Sequence, residues 1–260
     1  MDAYEIVKKA RDVYRLSTIE IINGLCTGFI EIHGDQAMKD DKALIGGIGL
    51  MDERDPITII GIQKGYNTEE NVRRNFGSSG PAGYRKAERL MNQAEKFNRP
   101  VLTLINTPGA YAGPESEENG IGEAIANMLT TMSELTVPTL AIILGEGGSG
   151  GAIALAMSDQ VWMLENSIYS ILSPEGFASI LWKDASLASD AAKIMKLTAP
   201  ELKELEVVDR VIAEGDENGV YSNEELAQQL LPEIKATFKK LQKESVEERM
   251  VKRYARFRKF

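Results

Sequence analysis

Residues 139–157 read TLAIILGEGGSGGAIALAM: an apolar run from Thr139 to Leu144, seven residues of which five are glycine from Gly145 to Gly151, and a small-residue run from Ala152 to Met157. A short apolar run broken by glycine predicts a strand, and the small apolar residues beyond the glycines predict a helix. The first N–H groups of a helix have no intrahelical partner, and glycine lets an oxygen approach several of them together. The stretch therefore predicts a strand, a turn free of side chains from Gly145 onward, and a helix whose start stabilises an anion with its main chain.

The same unit is legible one step upstream. Pro100 introduces VLTLI (Val101 to Ile105), followed by NTPGAYAGPESEENG (residues 106–120), whose Pro and Gly content rules out regular structure through most of it. Helical stripes precede each strand, Ala87, Leu90, Met91, Ala94 and Phe97 before the first and Ile121, Ala124, Ile125, Met128, Leu129 and Met132 before the second. Helix, X-Pro break, short buried strand and Gly turn, twice in succession, are what a parallel sheet with crossover helices produces. Ala43 to Met51 and Ile57 to Gln63, separated by DERDP, read as an antiparallel hairpin. Val161–Leu164, Ser167–Leu172 and Val207–Ala213 read as further strands, and helices are expected over Pro174–Leu205. Ala3 to about Phe29 is helical in pattern, with Ser17 and Thr18 as break and N-cap. The expected division is an N-terminal helical segment (1–29), one α/β domain (30–215) and a C-terminal helical tail (216–260).

At 260 residues and 43% hydrophobic the chain can bury a sizeable core. A net charge of −9 argues against general nucleic-acid binding. One cysteine, Cys26, makes no internal disulfide, and with one histidine, His33, it builds no zinc site, so no metal is expected in this chain. The start MDAYEIVKKARD is too charged for a signal peptide, and no apolar run is long enough to cross a membrane, so a cytoplasmic protein is expected. Lys239 to Phe260 carries nine Lys or Arg against three Glu, which suits either docking on an acidic surface or a solvated helix end.

Three chemistries share the glycine run. Gly145-x-Gly147-x-x-Gly150, with Glu165 after the next strand, fits a dinucleotide fingerprint. Gly147-x-Ser149-x-Gly151 fits a nucleophile elbow, although its only available histidine, His33, lies far upstream. The third needs no side chain: the N–H groups of Gly150 and Gly151 form part of an oxyanion hole at a helix start. Glycines that only permit close packing remain a fourth reading. TPGAY (Thr107 to Tyr111) would bring a second backbone turn beside the first if the two strands are neighbours. Arg73 and Arg74, with Lys64 and Arg85 nearby, suit either anionic phosphates or a salt-bridged interface loop, and Glu115, Glu117 and Glu118 suit capping of the following helix. Trp162 and Trp182 read as core or interface residues.

HGDQAMKDDKALIGGIG, RRNFG, GYRKAERLM, NTPGAY, GEGGSGGA and YSILSPEGFASILWK, in that order from about Ile30 to Ala213, resemble the α subunits of bacterial acetyl-CoA carboxylase carboxyltransferases. The resemblance implies a crotonase-like (ClpP/crotonase) α/β fold of repeated ββα units with N- and C-terminal helical extensions. It implies transfer of a carboxyl group from carboxybiotin, carried on a separate biotin carboxyl carrier protein, to acetyl-CoA, giving malonyl-CoA for fatty-acid synthesis. Gly150 and Gly151, with Gly109 and Ala110, would shelter the biotin anion; Gly147, Gly148, Ser149, Pro108 and Tyr111 would line the biotin site; Arg73 and Arg74 would meet CoA phosphates or an interface. A β subunit, carrying the zinc, would complete an α2β2 assembly that works with biotin carboxylase, and this chain alone would be inactive. A dinucleotide-binding protein and a non-catalytic docking scaffold are the alternatives. Asn106 stands where the family commonly has Asp, Ala112 where it often has Pro, and Phe177 where it often has Cys.

Overall fold

The computed structural model describes residues 2–51 and 53–260. Helices α1 (Ala3–Ala10) and α2 (Thr18–Leu25) lead into β1 (Cys26–Glu31), β2 (Leu44–Met51) and β3 (Asp55–Ile62). Then come α3 (Thr68–Arg73), α4 (Pro81–Lys96), β4 (Val101–Thr107), α5 (Pro114–Glu118), α6 (Ile121–Glu134), β5 (Thr139–Gly148) and α7 (Ser149–Ala156). After these run β6 (Gln160–Leu164), β7 (Ile168–Ser170), α8 (Pro174–Trp182), α9 (Ala188–Ile194), α10 (Ala199–Glu204) and β8 (Arg210–Ile212). A small hairpin, β9 (Gly215–Asp216) with β10 (Gly219–Val220), precedes α11 (Asn223–Leu241) and α12 (Val246–Phe257).

Ser17 caps α2 with a reciprocal capping box to Glu20, as a Ser followed three residues later by Glu dictates. The helical pattern ends earlier than expected, because Cys26–Glu31 pairs antiparallel with β2 and its backbone is already extended. The hairpin β2–β3 is antiparallel in register from Leu44↔Ile62 to Met51↔Asp55. From β3 onward the sheet is parallel, in the order β3-β4-β5-β6-β8. Strand β5 is buried on both faces. Ala141 and Ile143 enter the core beneath α4, α6 and α7, whereas Leu140, Ile142 and Leu144 enter the core beneath α2 and α11. That period of two explains why its sequence reads as an unbroken apolar run.

The glycine run corrects the expected turn. Glu146, Gly147 and Gly148 remain in β5, paired in parallel with Ile168, Tyr169 and Ser170 of β7. One long strand thus serves β6 along its first half and β7 along its second, and the turn is compressed into Ser149 at φ +52°. The loop after β4 also holds more structure than its composition suggested, since Pro114 starts the short α5.

Three arginines of the basic C-terminal tail are tied into the fold, while Lys239, Lys240, Lys243, Lys252, Arg258 and Lys259 are exposed. Arg249 and Arg253 of α12 are 6% and 3% exposed. Arg253 Nη1 donates to the carbonyls of Met132 (2.9 Å) and Leu135 (2.7 Å) at the C-terminal end of α6, and its Nη2 pairs with Asp159 at 2.7 Å. Arg249 Nη2 donates to Thr136 O, and Arg256 pairs with Asp209. Cations at a helix C-terminus satisfy its unpaired carbonyls and its dipole together. Replacing Arg253 by Met should leave Asp159, 4% exposed, as an unpaired buried charge. A loss of about 3–5 kcal/mol is expected in urea unfolding, with Arg253→Lys intermediate because an ammonium lacks the forked donor set.

Candidate functional site

The parallel pairing of β4 with β5, with Thr107 opposite Gly147, brings the two turns side by side. A side chain at Gly148 would lie 2.1 Å from Pro108 O, and one at Gly151 would lie 2.6 Å from Ala110 N. Both positions therefore exclude any Cβ. The Thr107 hydroxyl donates to Gly109 O at 2.9 Å and accepts from Gly109 N–H at 3.1 Å, closing a tight turn that holds Gly109 at φ +145°.

Gly150 and Gly151 lie in the first turn of α7, where the helix itself offers their N–H groups no acceptor, and neither donates to a side chain or a loop carbonyl among the described residues. The Ala110 N–H is likewise free of any hydrogen bond among the described residues. Three main-chain N–H groups thus lie on two facing turns. Gly150, Gly109 and Ala110 are half-buried, whereas Ser149 and Pro108 are exposed at their rim. Gly147 differs from the others: it is a buried strand residue packed on Tyr169 and Ile143, so it supports the turn from behind.

Tyr111 turns away from the junction. Its N–H donates to Ser79 O at 2.9 Å, and its side chain lines a cavity of about 290 Å³ with Arg73, Arg74, Lys42 and Arg85. Arg73 and Arg74 are therefore in this neighbouring cavity and not in the amide junction. Arg73 is exposed; Arg74 Nη1 donates to Lys42 O, and burial followed by the adjacent Arg73 charge lowers its pKa. Lys64 pairs with Glu146 at 2.6 Å, and Arg85, which also lines the cavity, pairs with Asp35 at 2.9 Å.

Several supporting residues escaped the sequence reading. Glu146, inside the glycine run, is 8% exposed and sits between Lys64 Nζ (2.6 Å) and Arg11 Nε (2.9 Å). Arg11 in turn grips both oxygens of Glu175 on α8, at 2.8 and 3.0 Å. Asn106 Oδ1 accepts from the Glu146 N–H at 3.1 Å, so an amide suits this place beside a carboxylate. Asp41 accepts from Ser79 Oγ (3.0 Å), Gly80 N (2.7 Å) and Ala43 N (2.8 Å), and through Ser79 it fixes the Tyr111 backbone. A charged residue embedded among glycines was the one sequence signal available for this frame.

Rival chemistries fare less well. His33 hydrogen-bonds Asp40 and lines a different cavity from Ser149, so no imidazole activates that hydroxyl. Glu165 accepts from the Glu214 N–H at 3.3 Å beside β8, an ordinary structural role. Glu115 pairs with Lys39; Glu115 and Glu117 lie in the first turn of α5, where their charge meets that helix's dipole, while α6 starts at Gly120 with no side-chain cap. Trp162 is core at 1% exposure, whereas Trp182 is partly exposed and meets Phe177 edge-on. Among the described residues no group of three or more His, Cys, Asp or Glu is arranged to hold a metal, and no helix is long and apolar enough to cross a membrane.

A long parallel strand shared between two partners, feeding a helix whose free amides face a second turn, defines a crotonase-like α/β protein. The fold is shared with transcarboxylase 12S (TM-score 0.69, 18% identity, 88% of this chain and 44% of that one). It is shared also with the β subunit of Pseudomonas aeruginosa geranyl-CoA carboxylase (TM-score 0.66, 18% identity, 92% and 44%), so this chain spans less than half of either. All 260 residues match the profile of the family described as acetyl co-enzyme A carboxylase carboxyltransferase-like, and the chain belongs to that family. Curated relatives named acetyl-coenzyme A carboxylase carboxyl transferase subunit alpha include one from Streptococcus gordonii, 55% identical over 255 residues (98% of each chain). Another, from Streptococcus pneumoniae, is 53% identical over 260 residues, the full length of both.

Gly151→Ala is expected to force the two turns apart and to lower the unfolding free energy by about 1–3 kcal/mol. Gly150→Ala, whose Cβ would meet nothing closer than Ile125 at 3.8 Å, is expected to leave the urea midpoint unchanged or higher. A second expectation concerns pH. Burial by itself would raise the Asp35 carboxyl, but the N–H groups of Met38, Ala37 and Lys39 and the Arg85 guanidinium outweigh it and hold the pKa at about 2. A carboxyl lowered on folding stabilises above its unfolded value near 3.8 and loses that contribution as pH falls toward 2. Urea titrations between pH 5 and pH 2 should show this decline, and Asp35→Asn should flatten it.

Proposed function

We propose that this chain is the α half of a carboxyltransferase that moves a carboxyl group from carboxybiotin to acetyl-CoA, giving malonyl-CoA. The observation that carries the reading is the close approach of the two turns that bear the Gly150, Gly151 and Ala110 N–H groups, where Gly148 and Gly151 leave no room for a Cβ. Such a junction fits the ureido oxygen of biotin, which gains negative charge when the carboxyl group departs. Preorganised amides cost no reorganisation at that moment, and each contributes roughly 3–4 kcal/mol.

In this reading Gly109 holds the Ala110 amide in place, Gly148, Ser149 and Pro108 form the rim, and Gly147 supports them. Tyr111 separates the hole from the cavity in which Arg73 and Arg74 receive an anionic part of the CoA substrate or a subunit contact. What carboxybiotin supplies is the carboxyl group and, once that has left, a nitrogen that accepts the proton of acetyl-CoA. That nitrogen makes a side-chain base at the hole unnecessary. A zinc-bearing β subunit supplies the thioester site in an α2β2 assembly, the biotin carboxyl carrier protein delivers the cofactor from biotin carboxylase, and the reaction runs in the cytoplasm as the input to fatty-acid synthesis.

The test is Gly150→Pro, which deletes one amide donor at a helical position where proline costs no internal hydrogen bond. With the β subunit and carrier still bound, carboxyl transfer should fall by about 10²–10³-fold. Unchanged turnover would remove the hole and leave a docking scaffold as the better description.

A further inference from the structure

Strands β4 and β5 keep one register from Val101↔Thr139 to Ile105↔Ile143 and another at Thr107↔Gly147. Asn106 alone therefore lies opposite three residues of β5, Leu144, Gly145 and Glu146, so β5 carries a bulge of two extra residues just before the hole. Within the same three residues β5 changes neighbour, from Met163 of β6 beside Ile143 to Ile168 of β7 beside Glu146. In an unbroken register Thr107 would lie opposite Gly145. Gly148 and the start of α7 would then overshoot Pro108 and Ala110 by two residues, about 6–7 Å, and the two turns would not face each other.

A bulge inside a buried sheet leaves backbone groups without ladder partners, and each needs another. Here side chains supply them. Asn106 Oδ1 accepts the Glu146 N–H at 3.1 Å, and Arg15 Nε donates to Leu144 O at 2.7 Å. Asn106 is 7% exposed, so its amide and not bulk water fills the gap. Gly145 makes room for that amide, since a Cβ there would lie 2.7 Å from Asn106 Oδ1 and 2.6 Å from Ala10 O. The Glu146 side chain is fixed separately, by Lys64 and Arg11. Asn106 immediately precedes Thr107, whose hydroxyl closes the turn at Gly109, and Glu146 immediately precedes Gly147 and Gly148. One hydrogen bond thus ties the root of one turn to the root of the other.

We propose that Asn106 is a positioning residue for the amide hole: by accepting the Glu146 N–H it holds the two-residue bulge of β5, and the bulge sets Gly148–Gly151 opposite Pro108–Ala110. The proposal rests on the hole described above and adds the residue that fixes its register. Asn106 touches no substrate; it acts before any charge appears, by keeping donors where they are needed.

The experiment compares Asn106→Leu, which keeps the volume and removes the acceptor, with Asn106→Asp, which keeps the acceptor. Each chain is assembled with its β subunit and carrier, and kcat, the KM for acetyl-CoA and the melting temperature are measured. Misplaced donors in Asn106→Leu should lower kcat about 10²-fold while the KM for acetyl-CoA stays put. Asn106→Asp should bring kcat back close to the native value. A lowered melting temperature with kcat retained in Asn106→Leu would overturn the proposal, because the amide would then serve stability alone. Equal losses of kcat in both variants would overturn it too, since the acceptor would not be what matters. Should Asn106→Leu fail to assemble, Asn106→Ala takes its place with the same expected loss, and full kcat there means that water suffices and the role of Asn106 falls. Gly150→Pro separates this failure from failure of the hole. If Gly150→Pro abolishes transfer while Asn106→Leu keeps full speed, only the role of Asn106 falls; if Gly150→Pro keeps full speed, both fall together.

Discussion

Everything in the site depends on two stretches of backbone lying closer than any side chain would allow. Gly148 faces Pro108 O and Gly151 faces Ala110 N at separations that leave no room for a methyl group. That approach follows from the parallel register of β4 and β5, which ends both strands at the same level and sends both turns the same way. Anion stabilisation by amides needs donors fixed before charge appears, and rigid strands ending together in side-chain-free turns supply this more cheaply than long side chains would.

The frame around the turns is held by a chain of part-buried and buried charges. Lys64, Glu146, Arg11 and Glu175 alternate in sign from the strand that carries the hole out to α8. Asp41 fills its acceptor sites with one hydroxyl and two backbone N–H groups, and the Ser79 it binds holds the chain at Tyr111. Pairs of this kind add little net stability, because desolvation offsets most of the attraction, but removing one member is costly. Their effect is to make wrong arrangements expensive. The N-terminal helix is part of the same design: Ala10 O packs on Gly145 and Arg11 crosses to Glu175, so the first turns of the chain brace a strand far away in sequence.

The C-terminal helix works similarly at the other end of the molecule. Its arginines spend their donors on carbonyls at the end of α6 and on Asp159 and Asp209, so a segment that looks like a basic tail is a strap across the fold.

Much of this was legible in the sequence. Strand and helix periodicity predicted the hairpin and a parallel layer with crossover helices, because burial on a sheet or helix face imposes a short-range pattern that survives in one dimension. The Ser17 N-cap and the Trp162 core position follow from local rules of this kind, whereas the TPGAY and GEGGSGG turns lie side by side only because β4 pairs with β5. Tertiary structure alone decided the rest. Glu146–Gly148 became strand because β7 returns to pair with them; three arginines of the basic tail turned inward because α6 ends beneath them; and Glu146 and Arg11 acquired their partners from segments remote in the chain. The physical reason is one of range: backbone preference and amphipathic spacing act over a few residues, whereas the pairing of a buried charge or the isolation of a buried hydroxyl depends on which distant segments meet.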